Sequence, residues 1–348
     1  MSRLPSKEVN LAAIAERLGI SISTVSRALR NSEGIHPDTR AKIVETANEM
    51  GYTKGGPVGQ ISRPINVLAL AQCLDETTDR DYLAGMSRAA VPMGISILSH
   101  HLQPADAAQI LNLQYQPMVM RNGTLDGIVL IHRWDHEIAR ELSKKWPVVS
   151  IVHSYRDTAI DVVGIDDRAG MESLTSHLAA DGNRRIGFFG FCRDVSWSRS
   201  RYAAYVESQL GLDLTFDPHD TVNITLDEAL SPRMFENGAW AEQVLSCVKK
   251  GVKAWIAPSS TTGCTLCQFF KDKGIAIPDE VVVASYHQSI APYPGFPQLS
   301  LMEVASEDLG AAALRRLVHR VQSPNESTRT ILLPPFFVQG DTTHAETA

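Results

Sequence analysis

Apolar residues at Leu11, Ile14, Ala15 and Leu18 recur at i, i+3, i+4 and i+7, the spacing of one helical face. Gly19-Ile20-Ser21 then breaks the period, and Ser21 is placed to cap a second short helix in which Val25, Ala28 and Leu29 point back at the first. Ser23, Ser26, Arg27 and Arg30 fall on the opposite side, where small polar and guanidinium groups can reach phosphates and base edges. Two short helices joined by a glycine turn, the second with such an outer face, describe a helix-turn-helix; any small helical hairpin with a solvated face has the same pattern. A third helix is predicted from Pro37 to Met50. Pro37 starts it, Asp38 sits in its first turn, Ile43, Ala47 and Met50 form its stripe, and Gly51 stops it.

From Ile65 onward the pattern alternates between short continuous apolar runs, expected of parallel strands covered on both faces, and amphipathic helices. Strands are predicted at 65–71, 95–98, 127–131, 148–152, 162–165, 186–191, 254–257 and 281–286. Helices are predicted at 82–93, 107–121, 137–145, 170–180, 198–210, 239–249 and 264–273. This is the doubly wound α/β signature, repeated to give two subdomains.

Composition adds a charge asymmetry. The chain of 348 residues is 44% hydrophobic and 21% charged, an ordinary globular balance, with a net charge of -6. Residues 1–60 hold 8 basic and 6 acidic side chains, net +2, so the remainder carries -8. The basic excess belongs to the small helical region, and an acidic body limits non-specific attachment to DNA. No apolar run approaches the ~20 residues of a membrane span. The opening MSRLPSKEVN lacks the apolar core of a signal peptide, from which a cytoplasmic location is expected. The five cysteines are scattered, against a disulfide framework, and Cys264-x-x-Cys267 has neither a second pair nor a nearby histidine to make a zinc or redox site.

Several runs resemble the LacI/GalR family of transcriptional repressors. In the first region these are A-x-x-x-G-I-S (Ala15 to Ser21), S-T-V-S-R-A-L (Ser23 to Leu29), Thr39-Arg40 and Gly51-Tyr52. In the body they are L-D-G-I-V-L (Leu125–Leu130), G-I-D-D (Gly164–Asp167), D-G-N-R-R-I-G-F (Asp181–Phe188), I-P-D-E-V-V-V (Ile277–Val283) and L-P-P-F-F-V (Leu333–Val338). The likeness spans the chain apart from 211–236, and it implies a last strand at 333–338 and a helix at 306–321 that returns to the first subdomain. It implies an all-α helix-turn-helix headpiece at 1–53, a linker at 54–64, and a periplasmic-binding-protein-like core of two doubly wound subdomains at 65–348. The first subdomain would take 65–162 and 292–322 and the second 163–291 and 323–342, with crossings near Val163, Ala291–Pro292 and Gln322–Pro324. The resemblance further implies a homodimer on a pseudo-palindromic double-stranded DNA operator. Leu11, Ser21, Ile22, Ser23, Thr24, Ser26, Arg27, Arg30, Asn31, Thr39 and Arg40 would be the DNA-facing residues, Ile22 and Ser23 at base-reading positions unless Ile22 packs inward. The chain carries no terminal heptad segment, so a dimer is expected rather than a tetramer.

A small-molecule effector, a sugar or sugar-derived acid, is expected between the subdomains, where the carboxyl ends of the strands meet. Candidate lining residues are Gln72, Cys73, His132, Arg133 and His153 on one side, and Trp197, Arg201, Ser259 and His287 on the other. Arg201 opens R-x-x-A-Y, similar to the family's R-x-x-G-F/W, whose arginine hydrogen-bonds the effector. The family's G-F/Y-D and N-D clamps are Ser285-Tyr286-His287 and Pro258-Ser259 here, which leaves three histidines, two arginines and few acceptors and predicts an acidic effector. Effector-dependent movement of the subdomains would control DNA binding. The alternatives are a solute-binding protein without regulation, which the headpiece opposes, and an enzyme. For the latter there is no Gly-rich phosphate loop, no G-x-S-x-G elbow and no metal-ligand cluster, so neither catalysis nor a cofactor or metal is expected.

The linker TKGGPVGQISRP (53–64) lacks the family's N-x-x-A-R-x-L hinge helix, whose leucine wedges open the minor groove; Gly55, Gly56, Pro57 and Gly59 oppose helix formation there. The expected outcome is an operator bent less than those of its relatives. Circular-permutation gel shifts revealing a large central kink would contradict it.

Overall fold

The computed structural model describes residues 11–29, 35–50, 64–72, 78–230, 238–286 and 298–344, and separates the chain into a unit ending at Pro64 and one beginning at Ile65. In the first unit, α1 (Leu11–Leu18), α2 (Ile22–Leu29) and α3 (Pro37–Glu49) enclose their own core of Ile14, Ala15, Val25, Ala28, Ile43 and Ala47. Gly19, at φ +65°, ends α1: the Ile20 N–H reaches the Ala15 carbonyl (3.0 Å) and the Gly19 N–H that of Glu16 (3.3 Å). Ile20 tucks against the core, and Ser21 accepts from the Thr24 N–H at 3.1 Å to start α2. The chain thus reverses within three residues because glycine, apolar anchor and cap come in that order.

The second unit contains two six-stranded sheets. β1 (Asn66–Gln72), α4 (Thr78–Ala90), β2 (Ser96–Leu102), α5 (Met118–Arg121), β3 (Gly127–Leu130), α6 (His136–Ser143), β4 (Val148–Ile151) and β5 (Ile160–Ile165) build the first. After α7 (Asp167–Ala180), the second is begun by β6 (Ile186–Phe191), α8 (Ser196–Gly211), β7 (Thr221–Asn223), α9 (Leu226–Leu230), α10 (Trp240–Lys249), β8 (Ala254–Ala257), α11 (Ser260–Asp272), β9 (Val282–Tyr286) and β10 (Ser300–Glu303). α12 (Ser306–Gln322) and β11 (Thr330–Leu333) return to the first sheet, and β12 (Phe336–Val338) to the second. The orders are β11-β5-β4-β3-β1-β2 and β12-β10-β9-β8-β6-β7. All pairings are parallel except β10 with β12. Val67 to Gln72 are all buried, as a strand covered on both faces requires. α12 and α4 lie so close that a Cβ on Gly310 would stand 2.1 Å from the Tyr82 carbonyl oxygen, and one on Gly85 would stand 1.8 Å from that of Glu307. Among the described residues no helix is long and apolar enough to cross a membrane.

Some expectations are corrected. The helix expected over 107–121 is a 3-10 stretch (Pro104–Leu111), a single turn (Leu113–Tyr115) and the short α5. Asn112 leaves the helical region and its side chain accepts from the Gln114 N–H, while Gln116 is extended ahead of Pro117, which has no amide to donate. The run 333–338 is two strands in different sheets, parted by Pro334-Pro335. The subdomain limits move accordingly. The crossings lie at 166, 304–305 and 334–335, because β10 pairs with β9 in the second sheet and β11 with β5 in the first. The expected linker lies outside the described residues except for Pro64.

One ion cluster bolts the returning segment to the first sheet. Asp161, fully buried at the start of β5, receives Arg320 Nε and Nη2 (both 2.8 Å), Arg316 Nη2 (3.2 Å) and the Arg329 N–H (2.5 Å). Burial pushes its carboxyl upward, but the two guanidiniums and the amide outweigh that and hold it below the usual range. A depressed carboxyl stabilises the fold fully above its unfolded pKa (~3.9) and ceases to as pH falls through the folded value. D161N therefore costs about 3–5 kcal/mol at neutral pH, read from urea midpoints, by removing the buried carboxylate that Arg316 and Arg320 share and leaving Arg316 only its longer pair with Glu326 (3.6 Å). It also flattens the loss of stability below about pH 4.

Candidate nucleic-acid interface and ligand cleft

In α2, residues 22, 23, 26 and 27 share one face. Ile22 is 52% exposed, so it does not pack inward, and Ser23 and Arg27 are exposed beside it. The hydroxyls of Ser21, Ser23 and Thr24 form a cluster, with Ser21 Oγ 2.8 Å from both others. Arg27 Nε donates to the Ser23 carbonyl at 3.4 Å, a long bond that a stronger acceptor can displace. Thr24 and Ser26 are half-buried; Thr39 is exposed and Arg40 half-buried in the first turn of α3. Leu11 is half-buried against the three-helix core, a packing position. Arg30 and Asn31 lie outside the described residues.

In the second unit, Gln72 ends β1, and His132 and His153 each lie two residues beyond a strand, β3 and β4. His132 is buried in the left-handed region (φ 68°). The Gln72 N–H donates to its Nδ1 at 3.3 Å, which places the ring proton on Nε2, 2.5 Å from Asp79 Oδ1 in the first turn of α4. His132 thereby braces β1, β3 and α4 with both nitrogens and is spent within the lobe. Gln72 Nε2 donates to the Arg133 carbonyl (3.0 Å). Val152 also has positive φ (67°), and the His153 N–H closes back on the Ile151 carbonyl at 2.8 Å. That three-residue turn is strained for a β-branched side chain.

Facing them, Arg201 on α8 is buried. Its Nε donates to Asp167 Oδ1 (3.0 Å) and its Nη1 to the Pro258 carbonyl. The guanidinium lies 4.1 Å from the Tyr286 ring centre and 5.3 Å from that of Trp197. The Tyr286 hydroxyl donates to the Asp167 carbonyl (3.1 Å), and burial raises its phenol, which stays protonated. Ser259 is buried as the cap of α11, exchanging bonds with Thr262, so its hydroxyl serves the helix. Cys73 and His287 lie outside the described residues. Asp79 and Asp167 overturn the expected shortage of acceptors: each faces one of the groups that had argued for an acidic effector. The Cys264 and Cys267 thiols are unpaired and buried on α11; burial pushes the first up to about 11 and the second higher still, which disfavours the reactive thiolate. Among the described residues no three histidines, cysteines or carboxylates gather around a metal position.

Two family models match the chain: "Bacterial regulatory proteins, lacI family" over residues 10–54 and "Periplasmic binding protein-like domain" over 175–343. A helix-turn-helix transcriptional regulator of Mycobacterium tuberculosis is 26% identical over 227 residues, 62% of this chain; the chain spans 61% of that relative's length. The solved CelR–cellobiose complex has a TM-score of 0.65 at 19% identity, covering 96% of this chain and 100% of that one. The lac repressor dimer bound to operator and the anti-inducer ONPF has a TM-score of 0.61 at 16% identity, covering 97% and 100%.

Proposed function

Because the chain belongs to the LacI family of bacterial regulatory proteins, we propose that it is a ligand-responsive transcriptional repressor, a cytoplasmic homodimer without catalytic activity, which reads a pseudo-palindromic operator. The observation that carries this is the exposed face of α2 on a three-helix unit with its own core. Ile22 offers a methyl-rich contact suited to thymine, Ser21, Ser23 and Thr24 offer short hydroxyls for phosphate and base edges, and Arg27 offers a fork for guanine or phosphate. Thr39 and Arg40 add phosphate contacts at the start of α3. Two half-sites would then match the two-fold symmetry of a dimer, the state in which the lac repressor is bound to its operator.

The core supports a neutral, polyhydroxylated effector between the two sheets. The buried cation Arg201 is already balanced by Asp167, so a second anion would have to displace a buried ion pair. A hydroxyl instead finds donors and acceptors together: the remaining Arg201 nitrogen, the Asp167 carboxylate, His153 and Ser196, with the Trp197 ring for an apolar sugar face. That ligand class agrees with the cellobiose in the CelR complex. Effector binding would shift the lobes and with them the DNA affinity of the dimer.

Genomic fragments captured by the purified chain should contain an inverted repeat bound with a steep salt dependence. On that site R27A weakens binding by about 1–3 kcal/mol; an unchanged affinity removes Arg27 from the reading surface. Calorimetry against neutral mono- and disaccharides and the corresponding uronic acids should give heat with a neutral sugar, lost in R201A. Heat from the acids alone would reverse the charge argument.

A further inference from the structure

The two sheets of the second unit are joined along one edge. The crossings follow β5, leave β10 and link β11 to β12, and these strands are the two outermost at the same edge of each sheet. Away from that edge, loops of the two lobes touch directly. Arg133 Nη1, after β3, donates to the Asp194 carbonyl at 3.4 Å, and His153 Nδ1, after β4, lies 3.5 Å from Ser196 Oγ. Both meet the same short segment, the turn after β6 and the first residue of α8. That turn is itself firm: the Val195 N–H bonds the Cys192 carbonyl, Ser198 Oγ receives the Cys192 N–H, and Arg199 Nη1 donates to the Arg193 carbonyl. On the other side the strained backbone at Val152 presents His153 to it.

We propose that this contact is a latch that holds the two lobes together when no ligand is bound, and that it gates entry to the cleft. β4 and β3 lie one and two strands in from β5, and β6 three strands in from β10. At about 4.8 Å per strand, the latch sits roughly 5–14 Å from the hinge edge and parts by about 1 Å for each 6° of opening. Bonds already at 3.4 and 3.5 Å are lost within the first few degrees. The same turn leads directly into Trp197 and Arg201, so whatever opens the latch also moves the start of α8. The latch rests on the proposed function only for its consequence, control of effector entry.

The test uses the full chain without DNA or ligand, so its outcome is independent of operator and effector. Spin labels are carried on ketone-bearing unnatural residues at Lys145 and Lys249, exposed positions ahead of β4 and β8 at the ends remote from the cleft, and labelled chain is diluted into unlabelled chain. Double electron–electron resonance should give a main distance that moves longer and broadens in R133A/S196A. It should be intermediate in S196A and return to the wild-type value in R133K/S196T, which keeps a donor at both places. A wild-type distribution in R133A/S196A with native circular dichroism overturns the latch. Should that variant lose its native spectrum, S196A alone decides, and an unchanged distance there overturns it equally.

Discussion

A parallel strand can be followed by another only if the chain returns to the same starting edge, and nearly everything in the core of this protein follows from that constraint. Among the described residues eleven of the twelve strands obey it, so the loops leaving their carboxyl ends emerge on one side of each sheet. Gln72, His132, His153 and Asp166 are therefore gathered along one rim, and Cys192, Pro258 and Tyr286 along another, although each set is spread over about a hundred residues of chain. The exception is β12, which runs antiparallel to β10.

Those rims carry ionisable groups that cannot remain without a partner once buried. Arg201 and His132 face Asp167 and Asp79, and farther from the cleft Arg316 and Arg320 share Asp161. The pairs differ in what they hold. Asp161 is closed in by two guanidiniums and an amide, and fastens secondary structure; Arg201 is held on three sides yet keeps one nitrogen, and so remains able to recognise a ligand hydroxyl. The planar fork of arginine makes this division possible, since two of its nitrogens can be fixed while the third stays oriented.

What could be read from sequence was whatever depends on local pattern. The strands at 186–191 and 254–257 were legible to the residue because each is an uninterrupted apolar run between polar turns, and Ser21 was legible as a cap because Gly19 precedes it. β7 (Thr-Val-Asn) and β10 (Ser-Leu-Met-Glu) are short and contain no uninterrupted apolar run, and β11 and β12 hid inside one stretch whose two prolines mark the change of sheet. In the cleft, Arg201 could be picked out by its motif, whereas its partner Asp167 is 34 positions away and reads as an ordinary acidic residue at a helix start, as does Asp79. Ser259 misled for the related reason that a small polar residue after a strand is equally good as a helix cap or as a ligand donor. Pairing across the fold decides such cases, and single-sequence pattern contains no record of it.

The energetics of the cleft favour a core that answers to small inputs. The positive φ at Val152 stores on the order of 1–3 kcal/mol, tolerated because the Val152 N–H bonds the Val163 carbonyl and the turn closes on Ile151. What it secures is modest. Two long hydrogen bonds between the lobes, each contributing about 0.5 kcal/mol net, favour the closed arrangement by roughly fivefold. A closure that slight cannot resist a ligand binding one arrangement even tenfold better, a difference of about 1.4 kcal/mol, so the response belongs to whatever the cleft admits. Had the latch been a buried ion pair like that of Asp161, the lobes would be locked, and no small neutral molecule could supply the energy to move them.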